Sequence, residues 1–269
     1  MAELVQISND NEKTSKKLLK DIKWKIAVAS GKGGVGKSTV SVNLAIALAR
    51  CGLNVGLLDS DIYGPSIPLM FGVEEKPIIK GDRLMPIEKF GIKLMSLGFL
   101  MEPHDPVIWR GPLVMKTLQQ LMRDVHWRGV DLLLFDMPPG TGDAQLTISQ
   151  TIDLNGAIIV STPQDVALVD AIKGVHMFRK VKVPILGFVE NMSYFTCPHC
   201  GERSDIFSSG GTERESERLG VKLLGQIPID VGIRKGGDEG IPIVAKNIND
   251  PISVTFITIA QYITKLLNM

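Results

Sequence analysis

Short apolar runs recur along the chain at 26–29, 55–58, 132–135, 157–160, 185–189 and 223–227, each bounded by polar or glycine-containing segments. Runs of this length without polar alternation predict strands buried on both faces. Between them, apolar residues at helical spacing predict helices over 39–50, 114–125, 166–179 and 212–219. Strands alternating with helices in this way predict an α/β fold: a doubly wound, mainly parallel sheet with helices on both faces. Gly52 follows the first helical stretch where a left-handed C-cap is expected, and the next apolar run begins almost at once, so the first unit reads as a compact strand, helix, strand. Segment 77–100 breaks the rhythm with Gly81, Pro86, Gly91 and Gly98 and predicts a hairpin-like excursion. Residues 1–22 carry too few apolar positions to bury much surface and read as a polar leader, either a short helix or a disordered tail, with the fold expected to begin at Trp24 and one domain to span 23–269.

A hydrophobic content of 44% over 269 residues is enough for a buried core. Thirty basic against twenty-nine acidic residues give no reason to expect nucleic acid or an anionic membrane as partner. No run approaches the roughly 20 apolar residues of a spanning helix. The stretch 252–269 has Lys265 as its single charge, a poor match to a basic membrane-surface helix. Three cysteines do not resemble a secreted disulfide framework, and the mixed-charge leader resembles neither a signal nor a transit peptide, so a cytoplasmic location is expected.

The segment Gly31, Lys32, Gly33, Gly34, Val35, Gly36, Lys37, Ser38 satisfies GxxxxGK[ST] and lies between a strand-like and a helix-like run. Glycines let the backbone curl with its N–H groups inward, and the helix that follows offers the positive end of its dipole to phosphate. Lys37 then reaches the β and γ phosphates, Ser38 offers its hydroxyl to magnesium, and Thr39 opens the helix. The bland alternative, a merely flexible glycine-rich loop, does not explain that placement. Lys32 is either a second phosphate contact or a solvated loop lysine.

Three acids stand at strand ends. Asp59 and Asp61 close the run 55–58, where ligands bind in sheets of this kind, and Asp136 closes 132–135 in the manner of a Walker B strand, whose carboxylate supports magnesium. Asp59 and Asp61 read either as metal and water carboxylates or as an ordinary turn. Pro138, Pro139 and Gly140 force a turn after Asp136, making 136–143 a candidate switch segment.

Cys197, Pro198, His199, Cys200, Gly201 forms a CxxC turn expected to project from the sheet near 194–210. Two thiolates are too few for one metal centre, and no second CxxC exists, so two copies of the chain are needed to supply four. The CPxCG spelling by itself favours zinc; a bridging iron-sulfur cluster and a redox dithiol remain open. Cys51 reads as a buried structural thiol.

The loop KGGVGKST resembles the deviant Walker A loop of the dimeric ATPases that include MinD, ParA and the nitrogenase iron protein. With DSDIYGPSIPLMFG from Asp59, WRGPLVMKTLQQ from Trp109, DMPPGTGDAQLT from Asp136 and ENMSYFTCPHCG from Glu190, the chain resembles, over roughly residues 20–265, the Mrp or ApbC family of ATP-dependent iron-sulfur cluster carriers. Ser60 stands where that family often has alanine. The resemblance implies a homodimer holding a labile 4Fe-4S cluster on Cys197 and Cys200, with apo iron-sulfur proteins as recipients, and slow ATP hydrolysis tied to cluster handling. It also implies Lys32 reaching nucleotide across the dimer, Asp61 orienting the attacking water, Asp59 in the metal shell, Asn191 as the base contact, and Pro228 with Asp230 enclosing the ring. A leader without extra cysteines matches the bacterial or archaeal type. The competing expectation is a MinD or ParA kind of spatial-organisation ATPase, and a third is a zinc-stapled dimeric adaptor.

Overall fold

A computed structural model describes residues 19–62, 64–100 and 111–269. In chain order the strands and helices are β1 (Trp24–Ser30), α1 (Lys37–Arg50), β2 (Val55–Asp59), α2 (Ile67–Met70), β3 (Ile79–Lys80), β4 (Arg83–Leu84), β5 (Ile87–Lys89), β6 (Ile92–Ser96), α3 (Gly111–Asp124), β7 (Leu132–Asp136), α4 (Asp143–Thr151), β8 (Gly156–Ser161), α5 (Asp165–Lys180), β9 (Ile185–Glu190), β10 (Phe195–Thr196), β11 (Arg203–Ser204), α6 (Gly211–Leu219), β12 (Leu223–Gln226), α7 (Val231–Asp238), α8 (Ile243–Lys246) and α9 (Pro251–Leu266). Every run expected to be a strand and every stretch expected to be a helix is found as such, with α1 starting two residues before Thr39.

The main sheet has the order β12-β9-β8-β1-β7-β2-β6-β5 and is parallel except at β5, which returns antiparallel to β6. From β1 the chain crosses to β2 on one side, and from β8 it crosses to β9 on the other. With right-handed crossovers, that reversal puts α1 and α5 on opposite faces and opens a crevice where the carboxyl ends of β1 and β8 diverge. α8 and α9 pack beside α1, while α4 and α6 pack beside α5. Sandwiching explains the unbroken apolar runs: all of β2, β7 and β8 is buried.

Two regions depart from expectation. The excursion 77–100 contains a small hairpin, β3 with β4, but its second half is no excursion, because β6 joins β2 in parallel register and buries Ile92, Leu94 and Met95. At the amino end the core begins at Ile22, 3% exposed, two residues before Trp24; the remainder of the polar leader, 1–18, lies outside the described residues, as do Trp109, Arg110 and His104. The carboxyl-terminal stretch forms α9, capped by Asp250, whose carboxylate accepts from Ile252 N–H at 2.9 Å with Pro251 at the first helical position. Its fully buried Phe256, Ile259, Ala260 and Ile263 share one face.

Phe256→Ala is expected to destabilise the protein by about 3–5 kcal/mol, the usual cost of emptying a filled aromatic site. Urea unfolding checks it, and a loss below about 1 kcal/mol would mean that α9 is only loosely attached.

Candidate functional site: a phosphate cradle and a cysteine hairpin

The loop between β1 and α1 curls through left-handed positions at Gly34 and Gly36, each with φ 80°. A side chain at Gly36 would collide with the amide of Asn191, and one at Gly31 with the backbone of α5 at Asp170. The motif's first glycine therefore lets a helix close on the loop, a packing requirement separate from phosphate recognition. Gly33 and Gly34 are exposed, Lys32 is half-buried, and Val35 is buried beneath the curl.

Asp136 organises the floor of the cradle. Its carboxylate, fully buried at the end of β7, accepts hydrogen bonds from Ser38 Oγ and Ser41 Oγ, both at 2.6 Å, and an ion pair from Lys37 Nζ at 2.8 Å. Lys37 is 6% exposed and lies 4.0 Å from Asp61 Oδ2. A buried pair is stable only when its remaining valences are met, and the two serines meet them here. Ser41 was not singled out from the sequence; its signal is the i, i+3 spacing from Ser38, which sets both hydroxyls on one helix face.

Asp59 lies beside this cluster, 1% exposed, accepting from Asp61 N–H at 3.0 Å and from Ser96 Oγ at 2.9 Å. Burial, followed by the neighbouring charge of Asp136, pushes its pKa up to about 8, against the weaker opposing effects of the Ser96 hydrogen bond and Lys37. Ser96 ends β6, so the strand that sequence periodicity missed also supplies a partner to the acid cluster. Thus Lys37, Ser38, Asp59, Asp61 and Asp136 converge at the carboxyl ends of β1, β2 and β7. A set of hard oxygen donors crowded enough to favour protonation of one carboxyl fits a small divalent cation such as magnesium, which would relieve the repulsion.

The turn after β7 is held shut: Gly140, with φ 91°, donates its N–H to Ser30 O at 3.0 Å, and the buried Gln145 amide donates to Pro138 O at 2.5 Å. The Gly140 N–H thus has a backbone partner in this conformation. Asn191 donates from Nδ2 to Val35 O at 2.9 Å, bracing the cradle from below. Asp230 caps α7 through Gly232 N–H and Ile233 N–H, and the half-buried Pro228 precedes it. These three residues border the same end of the sheet, with Asn191 engaged in bracing and Asp230 in capping.

Starting four residues beyond Asn191, β10 and β11 form a two-stranded hairpin with the CxxC turn at its tip. Its root is fixed to the sheet by Ser193 N–H donating to Ile227 O at 2.9 Å, Ile229 N–H donating to Tyr194 O at 2.7 Å, and Ser193 Oγ donating to buried Glu190 at 2.6 Å. The tip is tight: Gly201 N–H donates to Cys197 O at 2.8 Å, and Cys197 N–H to Glu202 O at 2.9 Å. Backbone N–H groups of Cys200 and His199, together with the Cys200 side chain, hold the Cys197 thiol below its ordinary range, favouring the thiolate that binds metal. Cys200 is exposed. Cys51 is half-buried, and burial raises its pKa, as befits a structural thiol. No group of three or more His, Cys, Asp or Glu able to hold a metal occurs among the described residues.

The cradle, its strand-end acids and the sheet topology define a P-loop nucleotide hydrolase. The chain belongs to the family described as ParA, NUBPL iron-transfer P-loop NTPase, whose profile matches residues 21–264. It is 52% identical over 255 residues to the iron-sulfur protein required for NADH dehydrogenase, mitochondrial, of Arabidopsis thaliana, covering 94% of this chain and 82% of that one. An iron-sulfur cluster carrier protein of Aquifex aeolicus is 45% identical over 255 residues, covering 94% and 70% of the two chains. A nucleotide-binding protein from Archaeoglobus fulgidus, solved with ADP, superposes with a TM-score of 0.74 at 42% identity, covering 84% of this chain and 90% of that one. MinD from Pyrococcus furiosus shares the fold, with a TM-score of 0.68 at 23% identity over 91% of this chain and all of that one. The MinD kinship is one of architecture.

A carboxyl whose folded-state pKa lies above its unfolded 3.8 supports the fold below about pH 4, and that support is lost as pH rises towards 8, where the fold must hold a buried charge. Nucleotide-free protein is therefore expected to lose stability relative to Asp59→Asn between pH 5 and 8, at up to about 1.4 kcal/mol per pH unit. Urea midpoints measured across that range check this; parallel profiles for the two proteins would show that Asp59 ionises normally.

Proposed function

We propose that this chain is a magnesium-dependent ATPase that holds a labile 4Fe-4S cluster between two copies of itself and passes the cluster to apo iron-sulfur proteins. The observation that carries the reading is the hairpin tip: one chain of an iron-transfer family offers two thiols there, one of them primed as thiolate, and no group of three or more His, Cys, Asp or Glu able to complete a metal site among the described residues. Four thiolates are the usual complement of such a cluster, and a symmetric pair of hairpins supplies them. Residues 23–269 act as one ATPase domain, in a reducing compartment, the cytoplasm, where the three cysteines stay free.

In this reading the cradle amides, Lys37 and, across the dimer, Lys32 neutralise the phosphates of ATP. Ser38, Asp59 and Asp136 hold magnesium, which when bound offsets charge developing on the γ phosphate. Asp61, close to Lys37, orients the attacking water. Asn191, Pro228 and Asp230 border the base, which requires the Asn191 amide to exchange its bond to Val35 for one to the ring edge.

Lys37→Ala is expected to reduce ATP hydrolysis to background. Cys197→Ser with Cys200→Ser is expected to leave nucleotide binding intact while iron and sulfide fall to background after anaerobic reconstitution. Absorbance, metal analysis and calorimetry on the purified protein provide the readouts. Iron and sulfide retained at wild-type stoichiometry by the double variant would sink the ligand assignment, and zinc without sulfide in the wild type would favour the adaptor reading.

A further inference from the structure

The end of the sheet opposite the cradle carries a groove of about 940 Å³ that the nucleotide and cluster chemistry leaves unused. It lies where β1 and β7 begin, separated from the cradle by the length of β1, about 20 Å for seven residues. Ile22, Met122, Val125 and Trp127 give it an apolar lining. Four cations border it, contributed by separate segments: Lys20 before β1, Arg83 on β4, Arg123 at the end of α3, and Arg128 in the turn before β7. Asp21 is the one carboxylate in the lining. Arg123 pairs with Asp124 outside the groove and Arg83 approaches Asp82, both at the surface, where such pairs hold charge weakly. Lys20 and Arg128 have no ion-pair partner among the described residues. In a chain whose total charge is +1, this is a local positive excess.

Trp127 is the largest of the lining side chains. It is 6% exposed, and its indole Nε1 is buried with no hydrogen-bond partner. The opposite, benzo edge of the ring lies against Gly56 of β2, where an added Cβ would stand 3.0 Å from Cζ3. The N–H edge lies on the other side of the ring from that contact. A buried donor without an acceptor costs on the order of 1–3 kcal/mol.

We infer that this groove docks an acidic, apolar-containing peptide segment of a partner protein, the apolar side chains resting on the Trp127 floor and the carboxylates meeting the surrounding cations. A lining that combines apolar side chains with cations suits a chain carrying both apolar and acidic groups better than a compact anion. Because the groove stands at the far ends of the strands, a partner held there leaves the cradle and the cysteine hairpin unobstructed.

The probe is a fluorescein-labelled twelve-residue peptide of alternating glutamate and leucine pairs, titrated by anisotropy into the full chain. A peptide with serine for leucine and one with lysine for glutamate serve as controls. Binding in the micromolar range is expected. It should weaken at least tenfold in Arg123→Glu with Arg128→Glu, both exposed positions, and about threefold in Trp127→Phe, with ATP hydrolysis and thermal unfolding of the arginine variant unchanged. Equal binding by the arginine variant, or equal binding of the serine peptide, would overturn the proposal, the latter by reducing it to bulk charge attraction. Binding seen only with a chain lacking residues 1–18 would overturn it too, by assigning the groove to this chain's own leader.

Discussion

The buried carboxylate of Asp136 is the point on which the site turns. It ends a central strand, and Lys37, Ser38 and Ser41 of the adjoining helix all direct polar hydrogens onto its two oxygens. That arrangement fixes the start of α1 against β7, and with it the curl of the glycine loop strung between β1 and α1. An unpaired carboxylate there would carry a large desolvation penalty, so the helix start and the strand end must stay in register. The same constraint pre-positions the lysine and the serine that a triphosphate and its cation need. Asp59, crowded against Asp136, carries the electrostatic cost of the arrangement, seen as a carboxyl that holds its proton well above the usual range.

The second chemical centre is joined to the first through a few residues of continuous chain. β9 ends in Glu190, buried and accepting from Ser193 and from Gln226 Nε2 at 2.9 Å; Asn191 reaches across to the Val35 carbonyl within the cradle; and the hairpin bearing Cys197 and Cys200 starts at Phe195. The base of the hairpin is held because Ile227 and Ile229, just after β12, bond to the backbone of Glu190, Ser193 and Tyr194. Its tip is exposed, stabilised by its own turn and by Arg203 stacked 4.3 Å from the Tyr194 ring. An anchored root and an accessible tip suit a pair of thiols that must present themselves to a second copy and to a recipient.

Local chemistry was legible in the residue order because it depends on spacing of a few positions. Five of the six apolar runs became buried strands, the sixth, β12, being a half-buried edge strand, and GxxxxGK[ST] between a strand and a helix announced the cradle. The acids at the ends of β2 and β7, and the paired cysteines, stood out for the same reason: strand ends and tight turns are written locally, by where an apolar run stops and which residue follows it. What sequence periodicity could not supply was partnership. β6 looked like part of a glycine-rich excursion because only its pairing with β2 makes it a core strand, and its terminal Ser96 becomes an Asp59 partner only through that pairing. Ser41 was not singled out at all and Asn191 only as a base contact, since the contacts by which they brace the cradle span 95 and 156 positions. Gly31 answers to a helix 139 residues downstream (170 − 31), whose backbone leaves no room for a side chain. The sequence by itself determined which segments are strands, where phosphate can be gripped and which thiols can bind metal. Tertiary structure alone decided which carboxylate is neutralised, which is left crowded and protonated, and which face of the molecule carries excess charge, because these depend on burial and on neighbours that chain order does not bring together.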